Sequence, residues 1–246
     1  MTTQHPAHDS SCNSAQRTAV IFDWDGVIAD SVGMYYQLYV ITFAHMRRHL
    51  RINSVEGFRH WYKARWEENF TDAGMQPSEV DEALAFARAH VDYTSVPLFT
   101  EATDAVKRLA RDFPLGIAST TDARLIRQRL QQAGLADIFG SVVGGEEGGS
   151  DKVRHYGEAA RELGVSPTTA VAVGDTPLDV QCARHWGMRT VGVTYGWYDE
   201  VRVRAAAPDR VVGHPRELED AVRALTARDS VCVPKCADTD TATRIG

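Results

Sequence analysis

Thr18-Ala19-Val20-Ile21-Phe22-Asp23-Trp24-Asp25-Gly26 is an apolar run that ends in two carboxylates and a glycine. The run from Ala19 to Phe22 predicts a short strand buried on both faces, as in a parallel sheet. Asp23 then falls at the strand's carboxyl end, Asp25 follows two residues later, and Gly26 permits a sharp turn. Carboxylates this close repel unless a cation lies between them or one keeps its proton. Both outcomes are chemically useful. A hard divalent cation such as Mg²⁺ takes oxygen ligands. An ionised aspartate serves as nucleophile and ligand, while a neighbour held protonated serves as an acid. Taken alone, Asp-x-Asp-Gly is common loop composition, so its meaning depends on the rest of the chain.

Outward from it, short apolar runs recur at Leu115 to Ser119, Ser141 to Gly144, Thr169 to Gly174, Thr190 to Thr194 and, more weakly, Arg210 to Val212. Stretches of helical period lie between them. One runs from Asp122 to Ala133, with Ile126, Leu130 and Ala133 on one face and Gly134 as its stop. A second runs from Lys152 to Leu163, and a third opens at Thr176-Pro177 and stops at Gly187. Strands alternating with such helices predict an α/β fold, a Rossmann-like doubly wound parallel sheet.

The alternation is interrupted once. Residues 33–96 carry no strand signal and predict three helices of an inserted α-helical cap domain. Their stripes are Met34, Leu38, Ile41 and His45, then Phe58, Tyr62, Trp66 and Phe70, then Val80, Leu84, Ala87 and Val91. The aromatic stripe reads as packing rather than a ligand cage. Residues 18–32 and 97–228 form the expected core domain. Residues 1–17 and 229–246 are small and polar, the composition of poorly ordered tails.

In parallel sheets, ligands sit at the carboxyl ends of the strands. The predicted strands end in Asp23, Ser119 and Asp175. Asp179 follows in the first turn of the next helix, a position that helix-start electrostatics alone explains. Ser119 and Thr120 precede a helix whose amides, with a hydroxyl, suit a phosphate; Thr121 or Asp122 also suits the N-cap. Lys152 opens the helix before the Asp175 strand. By itself it reads as a solvated charge.

In this order the segments resemble the haloacid dehalogenase superfamily, in its phosphatase branch with a helical cap (phosphoglycolate-phosphatase and β-phosphoglucomutase-like members). Phe22 to Ser31 is similar to that family's first motif, Leu115 to Ser119 to its second, and Gly174 to Asp179 to its fourth. The third motif departs from the pattern: Ser150-Asp151-Lys152-Val153 lacks the usual proline after lysine. Lys152 is the best candidate by its distance from Asp175, and Arg154 is the alternative.

The resemblance implies that Asp23 attacks phosphorus to form an aspartyl-phosphate. Asp25 protonates the leaving oxygen and later deprotonates water. Mg²⁺ is held by the carboxylates of Asp23 and Asp175 and the main-chain carbonyl of Asp25, with Asp179 in support. Ser119, Thr120 and Lys152 bind phosphoryl oxygens. An acid at Asp25 disfavours the dehalogenase and phosphonate-hydrolase branches. The expected activity is Mg²⁺-dependent hydrolysis of a small-molecule phosphomonoester. The alternatives are a β-phosphoglucomutase-type phosphosugar mutase and a non-catalytic phosphoryl-binding protein. A receiver domain phosphorylated on aspartate is disfavoured by the chain's length and by the insert.

Bulk properties agree. The 246 residues are 43% hydrophobic and 24% charged, an ordinary soluble composition, and the net charge of -6 argues against a nucleic-acid partner. No apolar run is long enough to span a bilayer, and Met1 to Arg17 lacks a secretory apolar stretch. A cytoplasmic location is expected. Cys12, Cys182, Cys232 and Cys236 read as free thiols, and Cys232-Val-Pro-Lys-Cys236 as tail rather than half a metal site. Arg47, Arg48, Arg59, His60, Lys63 and Arg65 in the insert either meet an anionic substrate or form a solvated face; the solvated face is the stronger reading.

Overall fold

A computed structural model of the chain describes residues 17–63, 65–145 and 151–227. The expected tails, with Cys12, Cys232 and Cys236, lie outside these residues, apart from Arg17. Strand β1 (Val20–Phe22) is followed by helices α1 (Val32–His45), α2 (Val55–Trp61), α3 (Trp66–Asp72) and α4 (Pro77–His90). Helix α5 (Thr100–Leu109) then leads into β2 (Leu115–Asp122), α6 (Ala123–Gln132), β3 (Ser141–Gly145), α7 (Lys152–Glu162) and β4 (Val171–Gly174). The chain continues through α8 (Pro177–His185), β5 (Arg189–Val193), α9 (Glu200–Ala205), β6 (Arg210–Val212) and α10 (Leu218–Thr226).

The six strands form one sheet in the order β3-β2-β1-β4-β5-β6, and every neighbouring pair is parallel. This is the doubly wound fold expected from the sequence. Period-2 alternation explains how it buries both faces. Val20 and Phe22 of β1, with Val171 and Val173 of β4, join one core with Ile126 and Leu130 of α6 and Leu218, Val222 and Leu225 of α10. Ile21 and Ala172 point the other way, into a second core with Tyr156, Ala159 and Ala160 of α7 and Cys182 and Ala183 of α8. From β1 the chain winds to β2 and β3, then returns to β4 on the far side of β1. The topological switch point is thus the crevice between the carboxyl ends of β1 and β4. Asp23 and Asp175 are the next residues after those ends.

Several boundaries differ from the sequence expectations. The helix drawn through Phe58, Tyr62, Trp66 and Phe70 is two helices, because Tyr62 and Arg65 are extended. The buried Asn69 side chain explains the break. It accepts from Lys63 N (2.8 Å) and donates to Lys63 O (2.8 Å), supplying the bonds a continuing helix would have made. In α1 the buried face is Val32, Tyr35, Leu38, Tyr39, Thr42 and Phe43; Ile41 is 44% exposed, and Met34 and His45 are not in that face. That helix is apolar nearly all round, so periodicity alone misassigned its face. Strand β2 continues past Ser119 to Asp122, and β4 starts at Val171 because Pro167–Thr169 is a 3₁₀ turn.

The aromatic stripe packs. Phe58 and Phe70 are fully buried, and Tyr39 stacks on Phe70 at 5.0 Å. The insert is also joined to the β5–α9 loop. Trp197 of that loop lies edge-on to Tyr35 (4.8 Å) and Tyr62 (4.5 Å). Two arginines cross the junction in opposite directions. Arg59 donates to the carbonyls of Tyr195 and Gly196, and Arg202 donates to those of Arg59 (3.0 Å) and Tyr62 (3.1 Å). Among the described residues, no helix is long and apolar enough to cross a membrane.

Candidate active site

The turn after β1 brings the two leading acids into different surroundings. Asp23 is buried, and its Oδ1 accepts from Trp24 N at 2.8 Å. Gly26 turns the chain with φ +76°, and a Cβ there would overlap the Asp175 carboxylate and the Trp197 ring. Glycine is required at that position both by the backbone angle and by the close approach.

Asp23, Asp175 and Asp179 present carboxylate oxygens within 4.8 Å of one another, all buried. Lys152, at the start of α7, reaches into this group. Its Nζ lies 2.8 Å from Asp23 Oδ2 and 2.6 Å from Asp179 Oδ1. Asp179 Oδ2 accepts from Thr176 N (3.1 Å) and Thr176 Oγ1 (2.5 Å), and Oδ1 accepts from Tyr156 OH (3.0 Å). Asp175 Oδ2 accepts from Trp197 N at 2.6 Å, whereas its buried Oδ1 has no hydrogen-bond partner among the described residues.

Burial dominates the electrostatics. It pushes the Asp23 carboxyl up to about 7, reinforced by Asp179 and opposed by Lys152. It pushes Asp175 well above the usual carboxylate range, reinforced by Asp23 and Asp179. For Lys152, burial alone would favour the neutral amine. The carboxylates of Asp179 and Asp23 outweigh that and hold the ammonium more firmly than usual.

These residues fit a divalent cation. With all three acids ionised, one ammonium leaves two negative charges, which a single divalent ion cancels. The unpartnered Asp175 Oδ1 is a free ligand atom in a place where a buried polar atom otherwise costs stability. An all-carboxylate donor set suits a hard ion such as Mg²⁺.

Asp25 stands apart from this cluster. Its Oδ1 accepts from Ser31 Oγ (2.5 Å) and Tyr93 OH (2.6 Å), and Oδ2 from Thr121 Oγ1 (2.6 Å). Burial raises its pKa, and the bonds from Ser31, Thr121 and Tyr93 oppose the rise. Tyr93 OH also lies 3.0 Å from Tyr35 OH, on α1 of the insert. The carboxylate therefore has hydroxyl neighbours and sits outside the group of acids suited to a cation. Any bond of Asp25 to a metal would have to use its main-chain carbonyl, as the resemblance implies.

Ser119 is buried within β2, and its Oγ accepts from Thr121 N at 3.2 Å. Thr120 is exposed, and the neighbouring Thr121 is the threonine that faces inward. Arg154, the alternative to Lys152, is exposed and paired with Glu158 at 2.9 Å. In the insert, Arg48 pairs with Glu79 (2.7 Å) and Lys63 with Asp72 (2.5 Å). A cleft of about 230 Å³ runs between Lys63, Arg65 and Glu68 of the insert and Thr176, Gln181 and Tyr198 beside the sheet.

Sequence reasoning did not single out Tyr93, Tyr156, His155 or Trp197. Tyr93 and Trp197 reach the site from segments without regular structure, where spacing carries no signal. Tyr156 and His155 fall inside the helix predicted from Lys152 to Leu163, where helical period does not say which side chains reach a site.

Comparison with known proteins gives the family and the fold. The model of a family described as haloacid dehalogenase-like hydrolase matches residues 20–193. The chain is 29% identical over 212 residues to a phosphoglycolate phosphatase of Synechococcus elongatus, covering 84% of this chain and 98% of the relative. It is 36% identical over 122 residues to a glyceraldehyde 3-phosphate phosphatase of Methanopyrus kandleri, covering 47% of this chain and 52% of that protein. Among solved structures, a haloacid dehalogenase-like hydrolase from Streptococcus pneumoniae superposes with a TM-score of 0.74 at 22% identity, covering 82% of this chain and 96% of that one. That likeness concerns the fold.

Proposed function

The chain belongs to the haloacid dehalogenase-like hydrolase family, and from that premise we propose that it hydrolyses a small-molecule phosphomonoester through an aspartyl-phosphate on Asp23. The observation that carries this reading is the separation of two acids only two residues apart. Asp23 lies among Asp175, Asp179 and Lys152, whereas Asp25 lies among three hydroxyl donors. Paired titratable groups in contrasting surroundings are how acid–base roles are divided.

In this mechanism Asp23 Oδ2 attacks phosphorus. Lys152 and the Ser119 hydroxyl bind the phosphoryl oxygens and offset their charge. Asp25 gives a proton to the departing oxygen, then takes one from the water that cleaves the phosphoenzyme. Tyr93, Thr121 and Ser31 hold its carboxyl in place between the two steps. Mg²⁺ would be held by Asp23 and Asp175 and the Asp25 carbonyl, with Asp179 in support, and would supply charge neutralisation for the phosphoryl group. Residues 33–96 act as a cap over a core of residues 18–32 and 97–228, excluding bulk water during the reaction.

The test is phosphate release from p-nitrophenyl phosphate and a panel of phosphorylated metabolites, with and without Mg²⁺. Hydrolysis of at least one ester that EDTA abolishes is expected. Conversion of a hexose 1-phosphate into an isomer without phosphate release would favour the mutase alternative. A folded protein inactive on every ester would end the enzymatic reading.

A further inference from the structure

His155 lies one helical turn beyond Lys152 on α7 and is fully buried. Its Nδ1 is 2.7 Å from the main-chain carbonyl oxygen of Ser119. A carbonyl oxygen accepts hydrogen bonds, so Nδ1 carries the proton and Nε2 the lone pair. Nε2 is also buried and has no hydrogen-bond partner among the described residues. The ring is thereby fixed as one neutral tautomer, and burial favours that neutral form.

The strand pairing leaves Ser119 a place for such a donor. The β2–β3 register runs regularly through Gly116, Ile117 and Ala118, shifts, and resumes only at Asp122. On its other side, the pairing of β2 with β1 ends at Ile117. Ser119 therefore stands in the interrupted stretch, past the last regular pair on either side, where a buried carbonyl without a partner is costly. The imidazole supplies the bond from the neighbouring helix. It also ties the segment of β2 bearing Ser119 to the helical turn bearing Lys152. Ser119 Oγ already accepts from Thr121 N, so its hydroxyl proton remains to be given.

We propose that His155 is a positioning residue. It sets the Ser119 hydroxyl against the Lys152 ammonium so that both meet the oxygens of one tetrahedral phosphate or phosphoryl group. The ligand class rests on the phosphatase reading, whereas the strut itself does not. A core histidine that merely fills space makes a different prediction, because the donor would then not matter.

Two variants separate these cases in the full-length protein with Mg²⁺. His155→Asn can place an amide N–H near the position of Nδ1, and His155→Leu keeps much of the bulk without a donor. Positioning requires that His155→Leu raise the inhibition constant of inorganic phosphate about tenfold and lower kcat/KM by at least a similar factor. His155→Asn should restore both to within about threefold of the parent, although its smaller, polar side chain melts no higher than the leucine variant. Phosphate inhibition unchanged in a folded leucine variant overturns the proposal, as does an asparagine variant no better than leucine. Should the parent hydrolyse no ester, calorimetric titration with inorganic phosphate must show the same order of variants. A missing order there defeats the strut, and missing turnover alone defeats only the phosphatase reading. Should the leucine variant fail to fold, ¹⁵N spectra of the parent still decide: an imidazole protonated at Nε2 instead of Nδ1 overturns the proposal.

Discussion

Replacing Lys152 by methionine removes the one ammonium among the described residues that lies with Asp23, Asp175 and Asp179, at 2.8 Å from Asp23 and 2.6 Å from Asp179. Breaking a buried pair by deleting one partner costs about 3–5 kcal/mol. The cost depends on pH, and its sign follows from the carboxyls. Asp23 rises from 3.8 unfolded to about 7 folded, so the folded state binds the proton more tightly. In the metal-free parent, stability is therefore greatest below the unfolded value and falls as pH rises through the folded one, by on the order of 4 kcal/mol for this group. Lys152 itself is protonated across that window, because its folded pKa lies above its unfolded 10.5. Without it the Asp23 carboxyl rises further. At about pH 5 Asp23 keeps its proton with or without Lys152 and adds nothing to the loss, whereas at about pH 8 only the parent's Asp23 has given it up, which adds about 1.4 kcal/mol. For a chain of this size that is a further drop of roughly 3–6 °C in Tm at the higher pH. Calorimetry in EDTA at the two pH values measures it. A loss equal at both, or absent at the higher, refutes the reasoning.

Three further outcomes follow from the geometry. Gly26→Ala combines a left-handed backbone with overlap onto the Asp175 carboxylate; it should cost about 2–4 kcal/mol in a urea melt and weaken Mg²⁺ binding in a titration. Tyr93→Phe keeps the ring but removes the 2.6 Å bond to Asp25; steady-state kinetics should show kcat falling about tenfold with KM within about twofold. Arg154→Ala changes an exposed residue paired with Glu158, so kcat/KM should stay within about twofold of the parent.

What the sequence disclosed and what it withheld divide along physical lines. The strands of the sheet were legible because each is a short apolar run between turn residues, and the carboxyl-end rule then pointed to Asp23, Ser119 and Asp175. Lys152 by itself read as a solvated charge and was placed only by the family resemblance, even without the expected proline; its side chain does reach Asp23. The insert was harder. Helix α1 is apolar nearly all round, so its buried face could not be chosen, and the break between α2 and α3 depends on the side-chain bonds of Asn69, which periodicity does not encode. Thr120 and Thr121 look alike in sequence, but a β-strand sends neighbours to opposite faces, and only Thr121 meets Asp25. Tyr93 and Trp197 come from loops whose paths only tertiary structure sets.

The claim that Asp23 is the nucleophile is tested most directly by acid-quenching the protein during turnover with Mg²⁺ and a phosphomonoester it hydrolyses, then locating the phosphoryl group by peptide mass spectrometry. Attack by Asp23 requires the label on the peptide spanning Asp23, on that residue, and both label and turnover should vanish in Asp23→Asn. Full turnover by Asp23→Asn, or a phosphoryl group carried on another residue, would contradict it.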